Sequence, residues 1–311
     1  AAPATASARY AFVGVMAESV PTITDQTGSV LEKGVVNVRH AGGRQLWGAN
    51  REQLPDDQFS VKLGNVEIKS SESLDFSSEN VKPGLMWLPI GLQDVSSGDP
   101  WVTMCLMDYK KYQDKPSATP MFANMVAMSK CGRGNKDGSG NPGVGAAAVV
   151  RMSNLLKSIT ESGLEPVPPK GFIYHETRCG STLAANMLAA LPPSRVFSEA
   201  KPPVQGIRMC IEAECDSETI TKVFHGTVAL MGRRRSEGEH HEHLYFKFQN
   251  SKFLPEISAA FPEVPWVFVF RDPVEVMVSN LRSLQAGPCV RIPRQERFRV
   301  NGGGGEKGGL Q

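Results

Sequence analysis

The sequence predicts an α/β fold: a parallel sheet flanked by helices, preceded by an N-terminal region rich in β-strands. Two observations predict it. From residue 146 onward, short apolar stretches alternate with helix-like stretches, which is typical of a parallel sheet with helices on its faces. Before that residue, short alternating or β-branched runs are separated by Gly, Pro, Asp and Ser, which indicates short strands with long connections.

Length and composition fit a globular protein of one or two domains. The chain has 311 residues, 41% of them hydrophobic, and it can enclose a substantial core. A net charge of +2 gives no overall case for nucleic-acid binding. There is no uninterrupted apolar run of about 18 residues, so we expect no membrane span within the sequence. The chain begins with Ala1, which leaves open a preceding leader or anchor.

The N-terminal region, residues 1–145, shows a strand pattern at 30–40, 59–71 and 101–112 and has no catalytic signature. A Gly- and Asn-rich stretch at 131–145 predicts a mobile surface loop and a domain boundary.

Within that loop, Asn135, Asp137 and Ser139 followed by Gly140 have a weak calcium-loop pattern. Ala146 stands where such a loop needs a bidentate Glu, so a flexible linker is favoured. Six cysteines without a CxxC pair argue against a small disulfide scaffold and against a zinc site.

Residues 146–290 form the predicted α/β domain, and 291–311 a disordered or truncated tail. Apolar stretches predict strands at 171–176, 194–200, 243–249 and 265–271. Helical spacing predicts helices at 146–163, 181–191, 217–235, 253–261 and 272–284. Ser217 is expected to cap the third of these helices. In the helix at 272–284, Asp272 is expected to be the N-cap and Pro273 the first helical residue.

A polar turn joins the strand at 171–176 to the next helix. Its sequence is Thr177, Arg178, Cys179, Gly180, Ser181 and Thr182. Gly180 permits a tight turn, the amides at the helix N-terminus can point at an anion, and Arg178 adds a full charge. The turn therefore predicts a phosphate or sulfate site. It lacks the Gly-Lys pair of ATPase loops, which disfavours a kinase.

This turn resembles the 5′-phosphosulfate loop of the sulfotransferases that use 3′-phosphoadenosine-5′-phosphosulfate (PAPS), closest in style to the tyrosylprotein and carbohydrate types. A second stretch, 267–281, resembles the family's 3′-phosphate segment, where an arginine closes a strand and a serine follows eight positions later. Here these are Arg271 and Ser279. Helical spacing places both near one phosphate. It also predicts a buried side of that helix, made of Val274, Met277, Val278 and Leu281.

The resemblance implies a P-loop-like, three-layer sulfotransferase fold and an in-line transfer of a sulfuryl group from PAPS to a hydroxyl or amine, without a metal. Arg178 would neutralise the leaving group. Ser181 and Thr182 would bind the 5′-phosphate through hydroxyls, and Cys179 and Gly180 through backbone amides. A nucleophilic Cys179 is the competing interpretation, but no base for it is evident.

A hydroxyl acceptor needs a base, and Glu199 is the leading candidate because tyrosylprotein-type relatives carry a glutamate in a comparable place. His175 and Glu176 are alternatives. Lys247 is a candidate auxiliary cation, although lysines beside strands more often face solvent.

Two further clusters suggest chemistry. Residues 237–243 contain three histidines, but Gly238 and the absence of an HExxH spacing favour a solvated loop over a metal site. The triplet Arg233, Arg234 and Arg235 predicts a basic helix end that the helix dipole favours; binding of an acidic acceptor is the other interpretation.

The ending departs from the family, because Lys307 in a Gly-rich tail is a poor substitute for a basic loop over the nucleotide. A second hypothesis is therefore an inactive relic of the nucleotide site that serves as a binding or structural subunit. The acceptor, whether protein tyrosine, carbohydrate or small alcohol, stays open. So does the compartment, with the Golgi lumen favoured over the cytoplasm by the type of relative.

Overall fold

The computed structural model describes residues 11–14, 59–63, 65–132, 142–235, 241–249 and 251–284. Several sequence-based interpretations fall on other residues and are not addressed by it. These are the strand at 30–40, the loop with Asn135, Asp137 and Ser139, most of the histidine cluster, and the tail at 291–311.

The described residues contain strands and helices of both predicted regions. The strands are β1 (Ala11–Gly14), β2 (Ser60–Leu63), β3 (Val66–Lys69), β4 (Leu85–Gln93), β5 (Trp101–Asp108), β6 (Ala147–Arg151), β7 (Pro169–His175), β8 (Ser194–Ser198), β9 (His243–Phe248) and β10 (Trp266–Phe270). The α-helices are α1 (Tyr109–Asp114), α2 (Phe122–Ser129), α3 (Met152–Glu161), α4 (Ser181–Ala189), α5 (Lys201–Glu212), α6 (Ser217–Gly232), α7 (Leu254–Ala260) and α8 (Pro273–Leu284).

A five-stranded sheet confirms the predicted α/β class. Its order is β1-β10-β7-β9-β8; the last four strands are parallel, and β1 is antiparallel to β10. The connection from β7 runs towards β8 on one side, whereas that from β9 runs towards β10 on the other. These two connections run in opposite directions across the sheet, so the direction of connection switches between β7 and β9. In open α/β sheets ligands bind beyond the carboxyl ends of the strands at such a switch point.

The helix termini follow local sequence. Asp272 accepts hydrogen bonds from the backbone amides of Val274 (2.9 Å) and Glu275 (3.2 Å), as expected of the N-cap of α8. The predicted cap Ser217 is wrong by one residue: Asp216 accepts from the amide of Thr219 at 2.7 Å, and Ser217 is the first residue of α6. Asp is as good a cap as Ser, so sequence alone did not choose between the neighbours.

The N-terminal region is rich in strands, as predicted. β4 and β5 form an antiparallel sheet with β6, which comes from just beyond residue 145, in the order β4-β5-β6, and β2 and β3 form a hairpin. The single helix expected at 146–163 is wrong at its start, because β6 comes first and α3 begins at Met152. The run of Ala and Val in β6 has strong neighbours to pair with in β5, and this tertiary pairing overrides the helical preference of alanine.

The predicted boundary near residue 145 stays a prediction, but the described residues on its two sides share one core. A large cluster contains Met86 and Met107 of the antiparallel sheet together with Phe172, Phe197 and Phe246 of the parallel sheet. Helices α5 and α6 contact β4, so they join the two sheets. Burial of these apolar side chains stabilises the junction.

The basic triplet directly follows α6, and its first residue is buried while the other two are half-buried. Arg233 is 5% exposed, forms an ion pair with the buried carboxylate of Glu79 and lies over the ring of Phe76 at 4.0 Å. Burial raises the pKa of Glu79, against the opposing effect of Arg233. Arg234 and Arg235 donate to the backbone carbonyls of Glu165 and Leu85. Their contacts link α6 to neighbouring segments.

The face of α8 that was predicted to be buried is exposed. Val274, Met277, Val278 and Leu281 expose 68%, 64%, 41% and 61% of their surface in the described structure. The periodicity correctly marks one apolar side of the helix, but periodicity does not say what covers that side. No helix among the described residues is long and apolar enough to cross a membrane.

Candidate anion-binding site at the carboxyl edge of the parallel sheet

The turn between β7 and α4 is held in an unusual backbone conformation. Gly180 has φ +92° and Arg178 has φ +59°, both in the left-handed region that is costly for a residue with a side chain. Cys179 between them is 1% exposed and packs against Ile173 and Val269. The buried thiol anchors the turn from below, and the exposed Arg178 side chain lies at its rim.

Helix α4 begins directly after this turn. Ser181 is its first residue and is 4% exposed, and Thr182 is half-buried. The amides at the start of a helix lack intrahelical partners and carry the positive end of the helix dipole. With Gly180 immediately before them, the backbone can come close to an anion.

The second predicted segment lies next to the first. Strands β7 and β10 are parallel neighbours, with Val269 opposite His175, so their carboxyl ends meet at one edge. Nε of Arg178 donates to Oγ of Ser279 at 3.0 Å, although the two residues are 101 positions apart. Arg271 is at the same edge, but its Nε donates to Oε2 of Glu275, one turn along α8. Arg178 and Ser279 are thus in contact, while Arg271 is bound by its own helix.

A buried lysine lies on the other side of the turn. The Nζ atom of Lys247 is 2.8 Å from Oε1 of Glu199 and 3.3 Å from Oγ1 of Thr182, and the side chain is fully buried. The interpretation that Lys247 faces solvent is therefore wrong. Because β8 and β9 are adjacent, with Ser198 opposite Lys247, Glu199 follows directly beside the lysine, and its amide donates to the carbonyl of Lys247 at 2.7 Å.

Glu199 is held as a carboxylate. Burial alone raises its pKa, but when His175 carries a hydrogen on Nε2, hydrogen bonds from His175 and Lys247 and the charges of both outweigh burial and lower the pKa to about 2. Its backbone has φ +56°, a second strained non-glycine position beside the turn. Strain of this kind persists only where the surroundings fix it, and it clusters at functional sites.

His175 and Glu176, the alternative bases, end β7. His175 is 6% exposed; its Nε2 is 3.3 Å from Oε1 of Glu199, and its Nδ1 is 2.9 Å from the carbonyl oxygen of Glu176. Glu176 is exposed and contributes this backbone oxygen. Of the three candidate bases, Glu199 and His175 are neighbours inside the site.

One residue at the site was missed from the sequence. Met121, just before α2, places its sulfur 3.9 Å from Nζ of Lys247 and 3.5 Å from Oγ of Ser198. It comes from the N-terminal region, more than 50 positions before the turn. An isolated methionine in a Pro-rich connection carries no sequence signal for such a role. The N-terminal region therefore contributes a side chain to the site, next to the ends of β8 and β9.

The histidine cluster at 237–243 is described only in part. His241 is buried, with its ring 5.8 Å from that of Tyr109 and its Nδ1 3.4 Å from Arg195. It therefore packs within the core. No group of three or more potential metal ligands occurs among the residues that the structure describes.

Taken together, two anchored cations, two hydroxyls and a helix N-terminus lie at the carboxyl ends of β7 and β9, with Ser279 and Arg271 beyond β10. Such a donor set suits an anion with phosphate-like oxygens. No protein-family model matches the chain, and neither curated proteins nor solved structures give a significant match.

Proposed function

We propose that this chain is a PAPS-dependent sulfotransferase with a P-loop-like three-layer α/β fold, which transfers a sulfuryl group to a hydroxyl or amine acceptor. The observation that carries the proposal is the hydrogen bond from Arg178 to Ser279. It joins the segment proposed for the 5′-phosphosulfate to the one proposed for the 3′-phosphate. One nucleotide can therefore contact both.

The donor set fits the two ends of this co-substrate. The amides of Cys179 and Gly180 and the hydroxyls of Ser181 and Thr182 would hold the 5′-phosphate at the start of α4. Ser279 and Arg271 would hold the 3′-phosphate, with Arg271 leaving Glu275 when the anion arrives. PAPS supplies an activated sulfuryl group, so the proposed reaction needs no metal.

The chain's own contribution is alignment and charge neutralisation. As in phosphoryl transfer, negative charge grows on the leaving oxygen while the nucleophile approaches in line. Lys247 is fixed at Thr182 within the turn, so it can neutralise that charge without reorganising, and Arg178 at the rim adds a second cation. Glu199 takes the proton of the acceptor hydroxyl.

The acceptor would enter beyond β8 and β9, since the nucleotide segments follow β7 and β10. Glu199, Lys247 and Met121 meet there. A protein tyrosine, a carbohydrate and a small alcohol are the classes to test. The disulfide between Cys105 and Cys131 supports folding in an oxidising compartment, of which the Golgi lumen is one.

One observation favours a second candidate, a subunit that keeps the nucleotide site without turnover. The guanidinium of Arg271 already has the carboxylate of Glu275 as its partner. A chain that no longer transfers sulfate could have filled the 3′-phosphate position in this way.

Transfer of labelled sulfate from PAPS to a tyrosine peptide, an oligosaccharide and a phenol tests the proposal. We expect turnover with one class and thermal stabilisation of the protein by adenosine 3′,5′-bisphosphate. Stabilisation without turnover would favour the inactive subunit. A larger shift with Mg-ATP, or none with the bisphosphate, would contradict the proposed nucleotide.

A further inference from the structure

The buried ring of His175 lies between two oxygen atoms. Its Nδ1 is 2.9 Å from the carbonyl oxygen of Glu176, and its Nε2 is 3.3 Å from Oε1 of Glu199. A carbonyl oxygen can only accept a hydrogen bond, so this contact requires the hydrogen on Nδ1. A neutral His175 then presents the lone pair of Nε2 towards Glu199.

With His175 neutral, one proton can be added between its Nε2 atom and Oε1 of Glu199. A carboxylate oxygen also only accepts, and Lys247 already donates to the same Oε1 atom at 2.8 Å. In the described structure Nε2 of His175 is a buried nitrogen without a hydrogen-bond donor or a well-aligned acceptor. A proton placed between Nε2 and Oε1 would satisfy both atoms at once.

Glu199 alone is poorly suited to keep a proton that it takes from an acceptor. With His175 neutral, Lys247 still donates to Glu199, and its charge lowers the pKa of that carboxyl, away from the neutral range in which a general base works best. The hydrogen bond from Lys247 holds the carboxylate in its ionised form. A second group beside it is needed to receive the proton.

We propose that His175 is the proton store of this site: Glu199 takes the proton from the acceptor hydroxyl and passes it to Nε2 of His175. This rests on the proposed function, because the acceptor hydroxyl is the source of the proton. The acceptor O–H bond breaks, a bond forms from that oxygen to sulfur, and the bond from sulfur to the leaving phosphate oxygen breaks. The proton ends between His175 and Glu199 and later passes to solvent.

The surroundings determine how this store responds to pH. The ring contacts the carboxylate of Glu199 after β8, to which Lys247 on β9 donates, and the backbone carbonyl of Glu176. On its other side β10 places the apolar Val269 opposite His175. Where Nε2 already carries a hydrogen, the place between Nε2 and Oε1 is filled and Glu199 cannot pass a proton on. Acid that adds this hydrogen therefore lowers turnover, although the anion still meets the same cations.

The experiment has one arm that needs no turnover. In the folded, ¹⁵N-histidine-labelled protein, long-range ¹⁵N–¹H spectra report which ring nitrogen carries hydrogen, and loss of one of the 6 histidine signals in His175→Gln assigns the ring. We expect hydrogen on Nδ1 alone at high pH and on both nitrogens after acidification. Hydrogen on Nε2 alone at high pH would overturn the inference.

The second arm is the pH profile of transfer. Gln at position 175 can donate to Glu199 but cannot take up a proton. We expect kcat to fall by about 10²-fold and the acid limb of the profile to be lost, with stabilisation by adenosine 3′,5′-bisphosphate unchanged. An unaltered acid limb in a folded His175→Gln protein would overturn the relay.

If the wild-type protein binds the bisphosphate and shows the expected ring state but has no turnover with any acceptor, the proposed function fails, and the relay fails with it.

Discussion

Arg178 and Ser279 are joined by a hydrogen bond of 3.0 Å from Nε to Oγ, and this bond closes the gap between two neighbouring strand-to-helix turns. Each turn alone is a common structure. Their contact is what makes them one site, since it aligns the exposed guanidinium with the helix that follows β10. The groups that we propose bind an anion in the two turns thus follow neighbouring parallel strands at one edge of the sheet.

Replacement of Arg178 by Gln should weaken both binding and transfer. The side chain is exposed at the rim, so the fold should survive, while the loss of a positioned cation costs about 10²-fold in kcat. Labelled sulfate transfer and thermal shifts with adenosine 3′,5′-bisphosphate measure the two effects. Arg208→Gln, at an exposed i,i+4 pair on α5, is the matched control. Equal behaviour of the two variants would contradict the assignment.

Replacement of Glu275 by Gln should strengthen bisphosphate binding. In the proposed complex the carboxylate of Glu275 would compete with the 3′-phosphate for Arg271, and removing its charge frees the guanidinium. An i,i+4 pair of this exposure contributes little, and we expect an affinity gain of about 2-fold to 3-fold by titration calorimetry. Glu212→Gln removes an equivalent acid from α5 and should change nothing. Weaker binding in Glu275→Gln would show that the ion pair positions Arg271 for the anion.

Sequence was informative where local chemistry decides the structure. The turn from Arg178 to Thr182 needs a glycine with positive φ and a following helix, and both requirements are visible in the residues themselves. Asp272 before Pro273 likewise marks the start of α8. Alternation of strands and helices gave the parallel sheet for the same reason: each element carries its own periodicity.

The sequence did not predict features of the site that depend on contacts between residues far apart in the chain. The burial of Lys247 depends on Glu199, Thr182 and Met121, which come from three other parts of the chain. A lysine in an alternating strand reads as solvent-facing unless its partners are known. Similarly, the pairing of Arg271 with Glu275 follows from ordinary helical spacing, yet nothing in that spacing tells which of two anions the guanidinium prefers.

The disulfide between Cys105 and Cys131 should be detectable chemically. Cys105 is buried in β5 and its Cα is 5.7 Å from that of Cys131, 26 positions later. Peptide mapping without reductant should find these two linked and Cys179, Cys210 and Cys215 alkylated after unfolding. A Cys105→Ser, Cys131→Ser double variant should lose about 3 kcal/mol in urea unfolding, whereas Cys215→Ser should lose little. Alkylation of both cysteines in protein from an oxidising host would contradict the bond.

Glu199 should make folding stability depend on pH in the acid range. Its pKa in the folded protein is lowered from 4.5 to about 2, so its contribution is fully present above pH 4.5 and is lost as pH falls towards 2. By linkage the contribution is at most about 3 kcal/mol.

In urea unfolding, Glu199→Gln should be less stable than wild type above pH 5, because Lys247 then lacks its carboxylate. The difference should shrink steadily below pH 4.5, since protonated Glu199 resembles Gln. Glu212→Gln, with an exposed carboxylate, should show no such trend. A Glu199→Gln deficit that stays constant from pH 7 to pH 3 would mean that Glu199 does not carry the buried charge that balances Lys247.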